Sequence, residues 1–410
     1  MMRRVAITGM GAISPIGNNV KDMWAAMVEG RHGIGAITHF DTTPFKVKLA
    51  AEVKDFDPQA VLGGNEFKRY DRFIQFALAA ADEAVTDSGI PGTVSEDRLG
   101  VYIGSGVGGI GTTYQETEKL LQKGPRWISP FLVPMMIGNM ASGLAAIRYR
   151  AKGINLPVVT ACATASHSIG EAYRAIRHGY ADAVIAGGAE AAINPISVAG
   201  FTSCMALTQT TDPDRASIPF DAERSGFVMG EGAGIFVLEE YERAKARGAR
   251  IYAEIVGYGN TCDAYHMTAP DPEAASGSRA IVQALSESVG DNYGKLYINA
   301  HGTSTPLNDK CETLAIKSAL GRRAYQDTIV SSTKSMTGHM LGAAGAVEAI
   351  AAVSVLTDGQ APPTIGYQVA DPDCDLDFVP NAARRVDVDV SLSLSLGFGG
   401  HNACLAFVRA

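Results

Sequence analysis

The chain has 410 residues, of which 46% are hydrophobic and 19% charged, so it can bury a large core and is neither disordered nor fibrous. Lysine and arginine number 35 and aspartate and glutamate 43, and the net charge of −8 argues against sequence-independent binding of nucleic acid. The six cysteines are widely spaced and form no Cys-x-x-Cys pair, which argues against a zinc ribbon or a disulfide framework and predicts reduced thiols in the cytoplasm.

Apolar strands alternate with helical patterns along the chain. The predicted strands are rich in Val and Ile and cover residues 4–8, 99–103, 183–186, 234–238 and 296–299. The predicted helices cover residues 73–88, 165–178, 276–289 and 311–320. Residues 340–356 are also expected to form a buried helix, because Glu348 interrupts an apolar stretch that is too short to span a membrane. Glycines and a proline interrupt the apolar residues after Arg4, so no secretory signal is predicted. This alternation predicts a layered α/β protein.

Two segments of the chain resemble each other. Residues 226–238 and 397–408 each consist of a Gly-Phe turn followed by an apolar strand. They lie near the ends of two half-chain blocks, so we expect duplicated halves that meet around Ala249. No linker of biased composition separates the blocks, which predicts two closely packed lobes.

The first candidate for chemistry is Cys162. An apolar strand is predicted to end just before it, and Ile169, Ala172 and Ile176 then follow one helical face. The thiol is therefore expected near a helix N-terminus, where the positive end of the helix dipole favours the thiolate. The alternative is an inert cysteine in the core, since cysteine is among the most frequently buried residue types. The segment alone leaves both interpretations open.

A histidine follows the predicted strand at 296–298. His301 would lie on a polar turn at the carboxyl end of that strand, where ligands bind in α/β sheets. Its imidazole could donate a hydrogen bond to a substrate oxygen there. The alternative is a histidine that caps local turns together with Thr303 and Thr305.

A lysine and a second histidine share the next polar loop. Lys334 and His339 follow a predicted strand at 328–330 and precede a helix rich in glycine and alanine that contains Glu348. A buried carboxylate needs a cation, and Lys334 is the expected partner. We interpret this pair as structural but placed so that it orients the site.

Two glycine-rich turns are compatible with different functions. Residues 397–400, which include Phe398, would allow backbone N–H groups to point at a developing oxyanion, or would merely connect two strands tightly. Residues 104–109 match G-x-G-x-x-G after a strand, which keeps a dinucleotide-dependent oxidoreductase as an alternative. The sequence contains no Walker P-loop, zinc-protease, serine-hydrolase or EF-hand motif.

The segments around Cys162, His301, Lys334 and Phe398 together resemble the β-ketoacyl-[acyl-carrier-protein] synthases, in particular the elongating enzymes of bacterial type II fatty-acid synthesis. The likeness also includes residues 5–11 and 219–230 and covers essentially the whole chain. It implies the thiolase fold, an α/β architecture of two duplicated halves in a five-layer α-β-α-β-α core. Residues 1–249 would carry the nucleophile, and residues 250–410 would carry the two histidines and the lysine.

The resemblance also implies a reaction. An acyl group would move from acyl carrier protein to Cys162, and malonyl-carrier protein would lose CO₂ and attack that thioester, which lengthens the chain by two carbons. No cofactor and no metal are expected. The implied partners are acyl- and malonyl-loaded carrier protein and a second copy of the chain in a homodimer. Binding of nucleic acid and insertion into a membrane are not expected.

Roles for individual residues follow from the same resemblance. Cys162 would be the nucleophile, with its own backbone N–H and that of Phe398 forming the oxyanion hole. His301 and His339 would polarise the malonyl thioester carbonyl, and Lys334 would orient them through its pairing with Glu348. Phe398 would also act as a gate. The other implied residues are Thr303 and Thr305 as supporting groups, Val107 and Phe201 in the acyl pocket, and Lys68, Arg69 and Arg126 in carrier-protein docking.

The chain departs from the family pattern Asn-Ser-Phe-Gly-Phe-Gly-Gly-Thr-Asn at Leu394, Leu396 and His401. Leu394 replaces a polar side chain that is expected next to the site and would change the hydrogen bonding there. Two rival functions on this fold are a thiolase, which would use two cysteines and coenzyme A, and a non-catalytic chain-length subunit of a polyketide synthase, which would lack the nucleophile.

Overall fold

The computed structural model describes residues 2–288 and 293–410. The strands are β1 (Val5–Ile13), β2 (Gly35–Ala36), β3 (Leu49–Ala50), β4 (Leu99–Gly104), β5 (Ala183–Glu190), β6 (Gly232–Glu240), β7 (Ala253–Cys262), β8 (Leu296–Asn299), β9 (Thr328–Ser331), β10 (Gln360–Ala361), β11 (Arg384–Arg385), β12 (Val390–Gly397) and β13 (His401–Val408). The helices are α1 (Val20–Glu29), α2 (Pro58–Leu62), α3 (Arg72–Ser88), α4 (Ile110–Lys123), α5 (Leu132–Met136), α6 (Met140–Tyr149), α7 (Thr164–Arg177), α8 (Pro195–Ser203), α9 (Tyr241–Ala246), α10 (Ala275–Ser288), α11 (Pro306–Leu320), α12 (Arg323–Gln326), α13 (Lys334–Thr337) and α14 (Ala344–Asp358).

The main sheet has the strand order β4-β5-β6-β1-β7-β13-β12-β8-β9. Its two halves meet where β1 pairs with β7 antiparallel. The orders β1-β6-β5-β4 and β7-β13-β12-β8 correspond, and the pairs β4 with β5 and β8 with β12 are both parallel. In the first half, the segment around Asn155 pairs with Val101 of β4 and forms the edge of the sheet. In the second half, β9 pairs with β8 and occupies the corresponding edge.

Helices fill the space between and outside the two halves of the sheet. The buried residues of α7 and α14 form one core cluster with strands of both halves. Helices α3 and α6 share a second cluster with β4, β5 and β6, and α10 and α11 share a third with β8, β12 and β13. This arrangement is the predicted five-layer α-β-α-β-α core.

Glycines bring one helix of each half directly onto the sheet. A Cβ atom at Gly9 or Gly11 of β1 would lie 2.1 or 1.9 Å from carbonyl oxygens of α3. A Cβ atom at Gly257 or Gly259 of β7 would lie 1.9 Å from carbonyl oxygens of α10. The same close approach therefore occurs at equivalent places, which supports the duplication inferred from the sequence.

The predicted strands at 4–8, 99–103, 183–186, 234–238, 296–299 and 328–330 and all five predicted helices are present, with some shifts at their ends. Helix α11 begins at Pro306 rather than at residue 311, and Val289, where the third helix was predicted to end, lies outside the described residues. The segment Leu341–Asp358 has the length and composition of a membrane span, but 89% of it is buried in the protein, as expected for a core helix. All six cysteines are free thiols.

The strand predicted immediately before Cys162 is wrong. Residues 156–160 form no strand, and only the bridge between Asn155 and Val101 ties this segment to the sheet. Pro157 has no N–H to donate, so the segment leaves the sheet edge here and reaches Cys162 as an irregular stretch.

Candidate active site

Cys162 lies in a 3₁₀ turn, Ala161–Ala163, that leads directly into α7. Its place at a helix N-terminus is as predicted. The side chain is 8% exposed, and burial raises the pKa of the thiol to about 12, although the charge of Lys334 and the backbone N–H of Phe398 act in the opposite direction. Burial therefore outweighs the helix end, and Cys162 rests as the protonated thiol.

The glycine turn at the end of β12 touches the turn that carries Cys162. A Cβ atom at Gly397 would lie 2.8 Å from the carbonyl oxygen of Thr160 and 3.4 Å from the backbone nitrogen of Cys162, so only glycine fits here. The next residue, Phe398, directs its backbone N–H at the thiol. The arrangement can place two backbone donors, from Cys162 and Phe398, at an oxyanion formed on a carbon attached to the thiol.

A buried lysine connects His301 to Glu348. The ammonium Nζ of Lys334 lies 3.2 Å from Nδ1 of His301 and donates a short hydrogen bond to Oε1 of Glu348. Lys334 and Glu348 are 1% and 2% exposed. Because Nδ1 of His301 accepts from the ammonium, the neutral ring carries its proton on Nε2. The pair thus fixes both the orientation and the tautomer of His301.

The two histidine rings lie side by side. Their ring centroids are 5.2 Å apart and their planes nearly perpendicular. Burial, followed by the charge of Lys334, lowers the pKa of both rings well below the usual value. Nδ1 of His339 is sealed from solvent and meets no hydrogen-bond partner among the described residues. Both rings are therefore neutral near pH 7, and the Nε2 atoms remain to donate to a substrate oxygen.

Glu312, which the sequence analysis did not single out, holds the backbone of the His301 turn. Its carboxylate accepts from the backbone N–H of His301 at 2.6 Å and of Gly302 at 2.7 Å. Burial raises its pKa to about 8. An acidic residue on the inward face of α11 was the only signal available in the sequence.

Buried oxygen atoms beside the ion pair would suit a hard cation. Oδ1 of Asn299, Oε2 of Glu348 and Oγ of Ser393 are buried and have no hydrogen-bond partner in residues 2–288 and 293–410. Ser391 and Ser395, two residues to either side of Ser393 on β12, both face α14, so Ser393 faces it as well. Carboxylate, amide and hydroxyl oxygens of this kind are ligands of hard cations, and these three residues are the ones that would hold such an ion.

A cavity of about 360 Å³ connects Cys162, His301 and His339 with the surface. Its walls include Cys162, His301, His339, Phe398 and Phe201, and also Thr303 and Thr305, whose hydroxyl oxygens are 2.9 Å apart. Val107 does not line this cavity and is 47% exposed. The structure therefore brings together Cys162, both histidines, Phe398 and one of the two residues predicted for the acyl pocket.

The predicted docking residues lie on the surface. Lys68, Arg69 and Arg126 are all exposed. The guanidinium of Arg69 lies 4.9 Å from the ring centroid of Phe131. Their charges are thus available to an acidic partner.

Leu394 does not lie where the sequence analysis expected it. It is fully buried in the apolar cluster shared with α10 and α11, on the face of β12 away from Ser393 and Ser395. Successive side chains of a strand point to opposite faces, so Leu394 packs in the outer core rather than beside the site.

The glycine-rich loop after β4 has no free donors for a pyrophosphate. The N–H groups of Gly106 and Val107 donate to Glu190, that of Gly108 to Ser105, and that of Gly109 to a backbone carbonyl oxygen. The donors that a dinucleotide would need are satisfied within the protein, which excludes the oxidoreductase alternative at this loop.

Comparison with known proteins agrees with this geometry. The profile of the N-terminal domain of β-ketoacyl synthases matches residues 2–244, and that of the C-terminal domain matches residues 252–368. The chain belongs to the β-ketoacyl synthase family. It is 53% identical over 407 residues to 3-oxoacyl-[acyl-carrier-protein] synthase 2 of Synechocystis and 51% identical over 406 residues to the enzyme of that name from Staphylococcus aureus. Each alignment covers 99% of this chain and 98% of the relative.

Solved ketosynthases have the same fold. The ishigamide ketosynthase/chain length factor superposes with a TM-score of 0.92 at 38% identity, and a type II polyketide ketosynthase in complex with its acyl-carrier protein superposes with a TM-score of 0.91 at 34% identity. Both comparisons cover 100% of each chain. The predicted thiolase-like α/β fold is thereby confirmed.

Proposed function

We propose that this β-ketoacyl synthase lengthens acyl chains in fatty-acid synthesis by decarboxylative condensation with malonyl-carrier protein. The observation that carries the proposal is the convergence of the Cys162 thiol, two neutral histidines and the Phe398 backbone N–H on one cavity. The full-length similarity to synthases named for acyl carrier protein supports the partner.

In the first half-reaction, the sulfur of Cys162 attacks the thioester carbonyl of the acyl-carrier protein. The new carbon–sulfur bond forms at Cys162, the bond to the carrier's sulfur breaks, and the proton of Cys162 goes to the departing sulfur. The backbone N–H groups of Cys162 and Phe398 stabilise the tetrahedral oxyanion. Cys162 gives up its proton as its sulfur attacks, and the departing sulfur takes up that proton, so the thiolate is needed only during the attack.

In the second half-reaction, the thioester oxygen of malonyl-carrier protein accepts hydrogen bonds from Nε2 of His301 and His339. The bond between the malonyl α-carbon and the carboxylate breaks, and CO₂ leaves. The electron pair of that bond forms an enolate, which the two histidine N–H groups stabilise. The enolate carbon attacks the acyl thioester, and the bond to Cys162 breaks. The released thiolate takes up a proton, consistent with the raised pKa of the buried thiol. The product is a 3-oxoacyl chain two carbons longer.

The chain is further proposed to act in the cytoplasm as a homodimer. Exposed apolar side chains cover the face formed by the loop after β4, α5, α6 and the segment before Cys162; among them are Val107, Val133, Ile147, Leu156 and Val159, with exposures from 47% to 74%. Apolar patches of this kind mark interfaces. A second copy on this face would cover Val107 and complete the acyl pocket with it. Residues 1–249 and 250–410 would be the two halves of each subunit.

Lys68, Arg69 and Arg126 are proposed to attract the acidic carrier protein. Phe398, whose ring centroid lies 6.5 Å from that of Phe201, is proposed as the gate between the acyl pocket and the malonyl site. Thr303 and Thr305 are proposed to support the malonyl site from the cavity wall.

The intact mass of the protein after mixing with a medium-chain acyl-carrier protein tests the proposal. We expect one acyl adduct in the wild type and in Cys204→Ala, a matched control because Cys204 lines the same cavity. Cys162→Ala should show none. An adduct formed from acyl-coenzyme A but not from the carrier protein would indicate a thiolase. A wild type that takes up no acyl group would indicate a non-catalytic subunit.

A further inference from the structure

A fully buried carboxylate that the proposed reaction does not use lies behind the nucleophile. Glu190 ends β5, and its two oxygens accept four hydrogen bonds. Oε1 accepts from Oγ of Ser105 at 2.8 Å and from the N–H of Val107 at 3.3 Å. Oε2 accepts from the N–H of Gly106 at 2.9 Å and of Gly342 at 3.0 Å. The carboxylate thus joins the loop after β4 in the first half of the chain to the turn before α14 in the second.

These two segments enclose the turn that carries Cys162. A Cβ atom at Gly106 would lie 3.5 Å from the carbonyl oxygen of Ala161 and 3.5 Å from the nitrogen of Gly342, so the three backbones meet at one point. Leu341 packs in the same apolar cluster as Cys162. A movement of either segment would therefore move a wall of the space around the thiol.

The turn at Gly342 is the counterpart of the turn at Cys162. Each follows a residue in the left-handed region, Leu341 with a φ of 47° and Ala161 with a φ of 49°, and each leads into a central helix. At the turn that carries Cys162, the glycine turn at Gly397 packs against the backbone of Cys162. At the turn that carries Gly342, the carboxylate of Glu190 accepts a hydrogen bond from the N–H of Gly342. A buried carboxyl group, whose pKa burial raises to about 7, thus occupies the place that corresponds to the oxyanion hole.

We propose that Glu190 is a positioning residue for acyl transfer, which fixes the loop Ser105–Val107 and the turn at Gly342 on either side of the Cys162 thiol. The inference rests on the proposed role of Cys162 as nucleophile. The charge of Glu190 also contributes to the raised pKa of that thiol, because the carboxylate opposes a second negative charge nearby.

Glu190→Gln tests the proposal with little change in shape. Each carboxylate oxygen accepts at least one backbone N–H, so in either orientation the new NH₂ group faces a backbone donor. We expect the rate of acylation by acyl-carrier protein to fall about tenfold or more, because the walls around the thiol shift. We also expect the pH midpoint for alkylation of Cys162 by iodoacetamide, followed by peptide mass, to move to lower pH.

Glu83→Gln is the matched control. Glu83 is a partly buried carboxylate that, like Glu190, accepts backbone N–H groups, here from Ala12 and Val20, but it takes no part in the cavity. This variant should change neither the acylation rate nor the alkylation midpoint. A folded Glu190→Gln variant that acylates within about twofold of the wild type, or that keeps the wild-type midpoint, overturns the proposal.

Ser105→Ala removes one of the four hydrogen bonds and decides the matter if Glu190→Gln does not fold. A fall in acylation of about threefold or more supports the proposal, and a wild-type rate overturns it. Failure of the proposed function looks different, since the wild type itself would then form no acyl adduct. The alkylation midpoints would still report whether Glu190 acts on the thiol.

Discussion

Replacing Lys334 by Met removes the positive member of a buried ion pair and leaves Glu348 without its cation. Both side chains are at most 2% exposed. Removing one partner of such a buried pair costs about 3–5 kcal/mol, because the other charge is left uncompensated. We expect the free energy of unfolding in urea to fall by about 3–5 kcal/mol in Lys334→Met.

The double variant Lys334→Met with Glu348→Met separates stability from catalysis. Replacing a whole buried pair by apolar residues of similar volume is often neutral, so the double variant should recover most of the lost stability. Decarboxylation of malonyl-carrier protein should stay about 10- to 100-fold below the wild type, because Nδ1 of His301 has lost the donor that fixes its tautomer.

The same two assays can refute this reasoning. A double variant that regains wild-type decarboxylation would show that the pair has no effect on His301. A single Lys334→Met variant as stable as the wild type would show that Glu348 has another way to balance its charge.

Three further predictions follow from the site. His301→Ala and His339→Ala should each lower decarboxylation about 10²- to 10³-fold, whereas Cys162 should still take up an acyl group at close to the wild-type rate; equal losses in both half-reactions would contradict the assigned roles. Because the pKa of both rings lies well below the usual value, decarboxylation should show no break near pH 6.5. The folded protein then binds fewer protons than the unfolded chain, so the free energy of unfolding should fall as the pH drops below about 6.5. His301→Gln should make this dependence on pH less steep in urea titrations. An unchanged dependence would argue against the lowered pKa. Gly397→Ala should lower acylation about tenfold or more in the intact-mass assay, because the new Cβ would lie 2.8 Å from the carbonyl oxygen of Thr160; wild-type acylation would mean that the turn can move without cost.

Much of the fold was available from local patterns. Val- and Ile-rich runs located β1, β4, β5, β6 and β8, because strands buried on both faces leave a continuous apolar signal. Strand β12 gave no such signal, since it alternates serine with leucine and directs its serines at α14. Alternation of polar and apolar residues usually indicates a strand with one face exposed to solvent. In β12 the serine hydroxyl groups are buried as well, so the strand lies in the interior of the protein.

The site could be predicted only in part. The positions of His301, Lys334 and His339 after β8 and β9 followed from the sequence pattern, whereas the strand predicted before Cys162 is absent. The resemblance to a family supplied the roles of all four residues. The charge state of Cys162 could not be predicted, because burial raises its pKa more than the helix end lowers it. The contacts of buried carboxylates, such as Glu312, depend on backbone groups whose positions only the folded chain defines.

The discharge of acyl-Cys162 by malonyl-carrier protein tests the central claim most directly. The protein would be loaded with a medium-chain acyl group, freed of excess donor and mixed with malonyl-carrier protein, and both the protein and the carrier would be weighed by mass spectrometry. If Cys162 carries the acyl group through the condensation, the adduct disappears from the protein while CO₂ is released and a 3-oxoacyl chain two carbons longer appears on the carrier. An acyl group that stays on Cys162 while malonyl-carrier protein remains intact would contradict it.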